Sequence, residues 1–271
     1  MTKQNSRSQS GDDKKIISNE EIVDSFFNNC KRIQKLSQKL SKREKIFLEI
    51  CKTALVDLFS EIEENYSPCL CPDQYVGKIG KFDKDFNTRK PVFSNKWNVI
   101  NIPQGENIMI MILESPHKDE FNKDGKPIGP AVGKTGENIR DYIEAIFKKK
   151  IEGFQNYHLI LMNPIPFQCS LGVSSGTFRD EVFAKSWEEE EKKFEERLDS
   201  LLKALNGKTV VIVNACTQEK VGKKKRKQNV TESIKKVIGT YKSVKELWEA
   251  PHPSSSWWFV EKYWKEIPIE R

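Results

Sequence analysis

The sequence predicts an α/β protein: a three-layer α/β/α sandwich with a central, mainly parallel four-stranded sheet, preceded by an N-terminal helical extension. The first observation behind this prediction is a series of unbroken apolar runs, which are typical of strands buried on both faces of a sheet. The second is that segments of helical length and period separate these runs along the chain. Strands that alternate with helices favour a parallel sheet covered by helices.

Four strands and four helices are predicted in the second part of the chain. The strands are residues 108–113, 158–162, 209–215 and 246–251. The helices are residues 136–149, 186–206, 231–238 and a short segment that starts near Trp257. Ser186 and Glu189 form a capping box that predicts the start of the long helix. Gly207 suits the position after its end, because glycine adopts left-handed backbone without strain.

Three regions are predicted along the chain. Residues 1–15 are polar and are expected to form a flexible tail. Residues 16–105 are expected to form a helical extension and an irregular connection that carries short strands, with capping boxes at Ser18 and Ser41. Residues 106–271 are expected to form the α/β domain.

Composition limits the class of protein. The chain has 46 Lys and Arg against 39 Asp and Glu, a net charge of +7 that permits a polyanionic partner. No apolar run is long enough to cross a bilayer, and the N-terminus lacks the apolar stretch of a secretory signal. The six cysteines are irregularly spaced, as is typical of reduced thiols. We therefore expect a cytoplasmic protein that has no membrane partner and acts as a monomer.

Residues 129–136, "GPAVGKTG", end like a phosphate-binding P-loop but do not have its spacing. A P-loop has five steps between its two glycines so that successive N–H groups surround the phosphates, whereas Gly129 and Gly133 are four apart. A P-loop also follows a strand directly, and the nearest apolar run ends well before Gly129. The segment is therefore not expected to bind a nucleoside triphosphate.

Polar side chains follow each predicted strand, where ligands of open α/β sheets bind. They come from the segments 114–120, 163–167, 214–220 and 252–258. His117 and His252 stand at strand ends, whereas His158 lies within a strand and is expected to be structural. Together with Asn163, the two histidines predict a functional site at one edge of the sheet.

Four blocks occur in one order along the chain: "LESPH" at 113–117, "PAVGKTG" at 130–136, Asn163 after the second strand, and "HPS" at 252–254. Over residues 107–258 this order resembles the uracil-DNA glycosylase superfamily, particularly its bacterial and archaeal branch with a Gly-Glu-Ala-Pro-Gly first motif. The resemblance implies a monofunctional DNA glycosylase, an enzyme that flips a nucleotide out of DNA and hydrolytically releases its base. It assigns the glycine-bordered segment 133–136 to the start of a helix that lines a nucleotide pocket.

The resemblance also implies roles for individual residues. His252 would stabilise the departing base, Asn163 would hydrogen-bond its Watson–Crick edge, and Glu114 would position water or stabilise the sugar cation. Ser115 occupies the place of an aspartate in the best-known branch, so Asp119 and Glu120 are reserve candidates for that task. The implied substrate-binding residues are Ser115, Pro116, His117, Ala131, Gly133 and Ser254.

Two departures from the family pattern bear on the substrate. Ala131 replaces a phenylalanine that stacks on the base, and His117 replaces a tyrosine that crowds its C5 edge. A roomier, more polar pocket favours a bulky C5-modified cytosine, such as glucosylated hydroxymethylcytosine, which antiviral glycosylases release in phage defence. The alternatives are a uracil-DNA glycosylase of base-excision repair, an inactive nucleic-acid-binding module, and an enzyme that acts on free nucleosides.

DNA is the partner that the basic runs predict, because lysines and arginines neutralise phosphates. The candidate DNA-binding residues are Lys134, Lys223, Lys224, Lys225, Arg226, Lys227, Ser255 and Trp257. Trp257 or Trp258 would fill the gap left by the flipped base, or both would pack the last helix. Members of the resembling branch hold an iron–sulfur cluster on four cysteines. The spacing of Cys69, Cys71 and Cys169 differs from theirs, so we expect no cofactor and no metal.

Overall fold

The computed structural model describes residues 69–81, 102–103, 105–170, 179–218 and 226–270. The tail, the capping boxes at Ser18 and Ser41, and Lys223, Lys224 and Lys225 lie outside the described residues. The strands are β1 Gln74–Lys78, β2 Asn107–Ile112, β3 Tyr157–Met162, β4 Val210–Asn214, β5 Val244–Glu249 and β6 Lys265–Ile267. The helices are α1 Lys134–Phe147, α2 Arg179–Ala204 and α3 Arg226–Ile238.

The strands form one sheet of six in the order β1-β3-β2-β4-β5-β6, which confirms the α/β class. The four central strands are parallel: β2 pairs with β3 and with β4, and β4 pairs with β5. The two edge strands, β1 and β6, are antiparallel to their neighbours and extend the four strands expected from the sequence. Because the central strands are parallel, their carboxyl ends meet at one edge of the sheet.

Two hydrophobic cores lie on opposite faces of the sheet, because successive strand residues point to opposite sides. On β2, Ile108, Ile110 and Ile112 belong to one core, while Met109 and Met111 belong to the other. Helices α2 and α3 pack into the first core through residues such as Phe183, Phe194, Leu198, Val230 and Ile234. Helix α1 packs into the second core through Ile139, Ile143 and Phe147.

Three element boundaries differ from the sequence prediction. The described part of the long helix begins at Arg179, so Ser186 lies inside α2 and its buried hydroxyl has no hydrogen-bond partner among the described residues. The short helix expected from Trp257 is a series of turns with a 3₁₀ turn at Glu261–Tyr263, followed by β6. Strand β1 lies in the predicted connection before residue 106, yet it pairs with β3 and belongs to the same sheet.

Helix α2 ends at Ala204, two residues before the end predicted at 206. Gly207 has left-handed backbone, with a φ of +83°, in the turn that follows. Across the described ranges, no helix has both the length and the apolar character needed to span a membrane.

Candidate functional site

A cavity of about 260 Å³ lies at the carboxyl ends of the central strands. Glu114 follows β2, Asn163 follows β3 and His252 follows β5, and all three line this cavity. The other predicted site residues that line it are Ser115, Pro116, His117, Gly133, Lys134 and Ser254, with the reserve candidates Asp119 and Glu120. The structure therefore brings most of the predicted site residues into one place.

Asn163 is 2% exposed, and its side-chain oxygen Oδ1 has no hydrogen-bond partner among the described residues. Its backbone is held from α2, because Nη2 of Arg197 donates to the carbonyls of Asn163 (2.7 Å) and Pro164 (3.1 Å). Nη1 of Arg197 donates in turn to the carboxylate of Asp73 just before β1 (2.6 Å). Arg197 thus fixes the backbone of a cavity-lining residue whose side-chain oxygen retains the capacity to accept a hydrogen bond from a ligand.

His252 lies in a turn that α1 holds in place, because Nδ2 of Asn138 donates to the carbonyl of Pro253 (2.6 Å). Its Nδ1 accepts from the backbone N–H of Ser254 (3.3 Å) and contacts the hydroxyl of that residue (2.7 Å). Burial lowers the pKa of His252 to about 4, against the opposing effect of the negative charge on Glu114. The imidazole is therefore neutral at pH 7, and with Nδ1 accepting, its proton lies on Nε2 as a hydrogen-bond donor.

Glu114 is buried and both of its oxygens are engaged. Oε1 lies 3.2 Å from Nε of Arg179, and Oε2 lies 2.6 Å from Nη1 of Arg226 and accepts from the hydroxyl of Thr217. Burial alone would raise the pKa of Glu114, but the charges of Arg226 and Arg179 outweigh it and lower the pKa. Glu114 is therefore a fixed anion with little basicity.

Glu120 is the second buried carboxyl of the cavity, and its surroundings are different. Backbone N–H groups of Ala131 and His117 bond to its carboxyl group, while Oε2 has no hydrogen-bond partner among the described residues. Burial raises the pKa of Glu120 to about 8, although the two backbone donors oppose this and nearby Asp119 adds to it. The side chain is therefore mostly protonated at pH 7.

The loop before α1 has unusual backbone geometry. Gly129, Ala131 and Gly133 have φ values of +139°, +59° and +100°, so Ala131 adopts a left-handed conformation that L-residues rarely take. The side chain of Ala131 packs in the hydrophobic core shared with α1, and the next residue, Val132, lines the cavity. The substrate contact predicted for Ala131, and the extra pocket room inferred from its small size, are therefore corrected.

The candidate DNA-binding residues divide into buried and exposed groups. The side chain of Arg226 is 0% exposed, and its guanidinium pairs with Glu114 and Asp180, so the phosphate contact predicted for it is corrected. Lys227 is half-buried, and its ammonium donates to the carbonyl of Ala250. Lys134, at the first turn of α1, is exposed and lies 3.5 Å from Glu137.

A second cavity, of about 600 Å³, adjoins the first and shares Thr217 and His252 with it. Ser255, Trp257 and Lys227 line this larger cavity, together with Tyr263 and Lys265. Of the two candidate tryptophans, Trp257 is 56% exposed and meets Tyr263 edge to face, with ring centroids 5.2 Å apart. Trp258 is fully buried in the core beside Trp264.

Sequence reasoning missed the residues that surround Glu114. Arg179 and Arg226 carry no local signal of a pairing with a carboxylate so far away in the chain. Thr217 did carry a signal, since it lies in the polar segment after β4.

No protein-family model, curated protein or solved structure matches the chain. Among the described residues, no group of three or more His, Cys, Asp or Glu side chains is placed to hold a metal ion. The four described cysteines, Cys69, Cys71, Cys169 and Cys216, form no disulfide with one another.

Proposed function

We propose that the protein is a monofunctional DNA glycosylase that flips out and hydrolytically releases a non-canonical pyrimidine. The observation that carries the proposal is the meeting of Asn163, His252 and Glu114, from three different strand ends, in one cavity of about 260 Å³. Helices on both faces of the sheet support the three-layer α/β/α sandwich expected of this class. The protein would act as a cytoplasmic monomer.

The chemistry of the cavity suits a leaving base. When an N-glycosidic bond breaks, the base departs with a negative charge. A hydrogen-bond donor that is already in position stabilises this charge, and an uncharged donor has no ion-pair partner that would cancel its effect. The Nε2–H of His252 is such a donor, because the low pKa keeps the imidazole uncharged. The buried Oδ1 of Asn163 would accept from an N–H on the base and hold it in the cavity.

The environment of Glu114 refines its role. Its two oxygens are occupied by Arg179, Arg226 and Thr217, so it is a poor general base for water. It would instead supply a fixed negative charge that favours the cationic sugar, and it would keep the two arginines in place. The proposed reaction is therefore dissociative: the base leaves before water attacks the sugar.

The larger cavity suits the DNA strand beside the flipped nucleotide. It presents an exposed aromatic side chain, Trp257, and the lysines Lys227 and Lys265. Bases stack on aromatic rings and phosphates attract lysines, which together are typical of nucleic-acid channels. Trp257 would fill the gap left by the flipped base, and Lys134 and the lysines at 223–225 would contact phosphates.

The leading substrate is a cytosine with a polar C5 substituent, including the glucosylated hydroxymethyl form found in hypermodified phage DNA. The half-exposed His117 in the cavity wall supports a polar rather than an apolar C5 contact. A cavity of about 260 Å³ holds the ring and a small substituent, so a glucosyl group would extend through the mouth. Uracil is the alternative substrate.

The test is mass spectrometry of bases released from DNA that carries uracil, hydroxymethylcytosine or its glucosylated form. The Asn163→Ala and His252→Ala variants are expected to lower kcat/KM by about 10²-fold each. Asn156→Ala is the matched control, because Asn156 is an exposed asparagine at the opposite end of β3 and should leave release unchanged.

The outcomes separate the candidate functions. Release of the modified cytosine by the wild type, lost in the Asn163 variant, supports the proposal and names the substrate. Release of uracil alone would change the proposed substrate from a modified cytosine to uracil and would leave the proposed enzyme class unchanged. No release from any DNA, with binding retained, would leave a nucleic-acid-binding module, and activity on nucleosides alone would identify a nucleoside hydrolase.

A further inference from the structure

Two buried side-chain oxygens, in residues that line the same cavity, have no hydrogen-bond partner among the described residues. One is Oδ1 of Asn163, and the other is Oε2 of Glu120, in side chains that are 2% and 7% exposed. Buried polar atoms are almost always hydrogen-bonded in folded proteins, so each is a position where a ligand atom would complete the bonding. The proposed function uses only the first of them.

We propose that Glu120 is a second ligand-binding residue of this cavity, and that its carboxyl group donates a hydrogen bond to an oxygen atom beside the ligand edge bound by Asn163. This inference rests on the proposed function only in treating the ligand as a nucleobase. It makes Glu120 the residue that selects among bases, whereas Asn163 and His252 act on the edge common to them.

The geometry makes Glu120 a donor. No lysine or arginine among the described residues forms an ion pair with its carboxyl group, and an unpaired buried carboxylate is strongly disfavoured, so the acid is protonated. The backbone N–H groups of Ala131 and His117 bond to the carboxyl group, and Oε2 is left without a partner. The O–H of a protonated carboxyl group on that oxygen needs an acceptor.

The charges around Glu120 come from several elements. Asp119 and His117 lie on its own loop. The thiol of Cys71 lies before β1, and its pKa is raised first by burial and then by the charge of Glu120. Lys134 of α1, Arg179 of α2, Glu114 and His252 line the same cavity. The negative charge of Asp119 favours the protonated form of Glu120, and Arg179 is already paired with Glu114.

The ligand class follows from the two partners. Oδ1 of Asn163 needs an N–H, and Glu120 needs a neighbouring oxygen. A cytosine whose C5 carries an oxygen on its first carbon offers both, through its N4 amino group and the hydroxyl or ether oxygen. Uracil offers N3–H and O4, whereas 5-methylcytosine offers the N–H and no such oxygen.

The first test is the protonation state of Glu120 in the full-length wild-type protein. Side-chain carboxyl ¹³C shifts are followed from pH 5 to pH 9, and Glu120→Gln identifies the signal. A protonated carboxyl group at pH 7 is expected. A carboxylate signal at pH 6 to 7 would overturn the proposal, whatever the protein catalyses.

The second test is selectivity for free bases, followed by protein NMR with 5-hydroxymethylcytosine and 5-methylcytosine as probes at pH 7. The wild type should prefer the hydroxymethyl base by about tenfold, because a site built to bond an oxygen rejects the analogue that lacks it. Glu120→Gln retains a neutral donor and should keep most of the preference, whereas Glu120→Leu should abolish it. Glu152→Leu changes an exposed glutamate and serves as the control.

Failure of this inference and failure of the proposed function look different. Base release from DNA with equal affinity for the two free bases, or with binding of neither, overturns the role of Glu120 and keeps the glycosylase. Selective binding that depends on Glu120, without release from any DNA, supports the inference and refutes the enzyme. If Glu120→Leu does not fold, the wild-type titration and the Glu120→Gln affinities decide.

Discussion

Glu114 and Glu120 are six residues apart in the chain and line the same cavity, but their electrostatic environments are opposite. Glu114 meets Arg179, Arg226 and Thr217, which together lower its pKa despite burial. Among the described residues, Glu120 bonds to neutral backbone donors and forms no ion pair with a lysine or arginine, and burial raises its pKa to about 8. One wall of the cavity therefore holds a permanent charge, and the other holds a neutral acid.

The difference shows that burial does not by itself determine what a carboxyl group does. Where cations are packed against it, a buried carboxylate stays ionised and becomes part of the scaffold. Where none is present, it takes up a proton and becomes a donor with bonding capacity to spare. In a cavity with both kinds of wall, the hydrogen bonds of the ionised carboxylate are complete without a ligand, whereas those of the protonated carboxyl group are not.

The largest expected effect comes from breaking the charged wall. Arg226→Met keeps most of the packing against Phe183 but removes the Arg226 pairs with Glu114 and Asp180, which then keep Arg179 as their cation. Removing one partner of a buried ion pair costs about 3–5 kcal/mol. Urea unfolding should show this loss in the free energy of unfolding.

Lys236→Met is the matched control for that variant. Lys236 lies on the same helix, α3, and pairs with Glu191 at 2.8 Å, but the pair is solvent-exposed. Its loss should cost about 1 kcal/mol or less. Equal effects of the two substitutions would show that Arg226 does not have the buried role described above.

The wall that carries Asn163 depends on Arg197. Arg197→Met removes the donors to the carbonyls of Asn163 and Pro164 and leaves buried Asp73 without its cation, at a cost of about 2–4 kcal/mol. Amide hydrogen exchange at Asn163 and Ile165, on either side of Pro164, should accelerate. Adding Asp73→Asn should restore much of the stability but not the slow exchange; unchanged exchange in Arg197→Met would contradict the positioning role.

The neutral acid predicts a pH dependence of stability. The pKa of folded Glu120 is about 8 against an ordinary 4.5, so its contribution is full below pH 4.5 and is lost as the pH rises to 8. The pKa of folded His252 is about 4 against an ordinary 6.5, so its contribution is lost as the pH falls from 6.5 to 4. Between pH 6.5 and 8 the His252 contribution is constant, and the loss from Glu120 should lower the free energy of unfolding by about 2 kcal/mol.

Glu120→Gln is the variant that isolates this slope. An amide does not titrate, so the fall between pH 6.5 and 8 should disappear while the behaviour below pH 6.5 keeps the His252 component. Denaturant unfolding at half-unit pH steps measures both. A slope that persists in the variant would assign the effect to another group.

The smallest expected effect concerns the loop that supplies a backbone donor to Glu120. Gly129 has a φ of +139°, and a Cβ there would lie 3.0 Å from Oε1 of Gln74. Gly129→Ala should therefore cost about 1–2 kcal/mol. Gly239→Ala, where the nearest atom is a carbonyl oxygen at 3.6 Å, is the control and should change stability by about 0.5 kcal/mol or less in thermal unfolding.

Much of the fold and the location of the site were predictable from the sequence. Apolar runs such as residues 108–113 identify buried strands, because only a strand covered on both faces needs no polar alternation. Parallel strands bring their carboxyl ends to one edge, so Glu114, Asn163 and His252 were expected together and do line one cavity. The edge strand β6 was not expected, since three residues of mixed polarity carry almost no periodic signal.

The sequence by itself determined the α/β class, the polar segments that follow the central strands and the residue types that meet there. These features depend on local period and on parallel pairing. Only the tertiary structure decided the charges of those residues. Arg226 appeared to belong to a surface basic run, yet it is buried against Glu114, and Arg197 reaches Asp73 across 124 positions. Ionisation depends on which atoms surround a group in space, and neighbours so distant in the chain leave no pattern in the sequence.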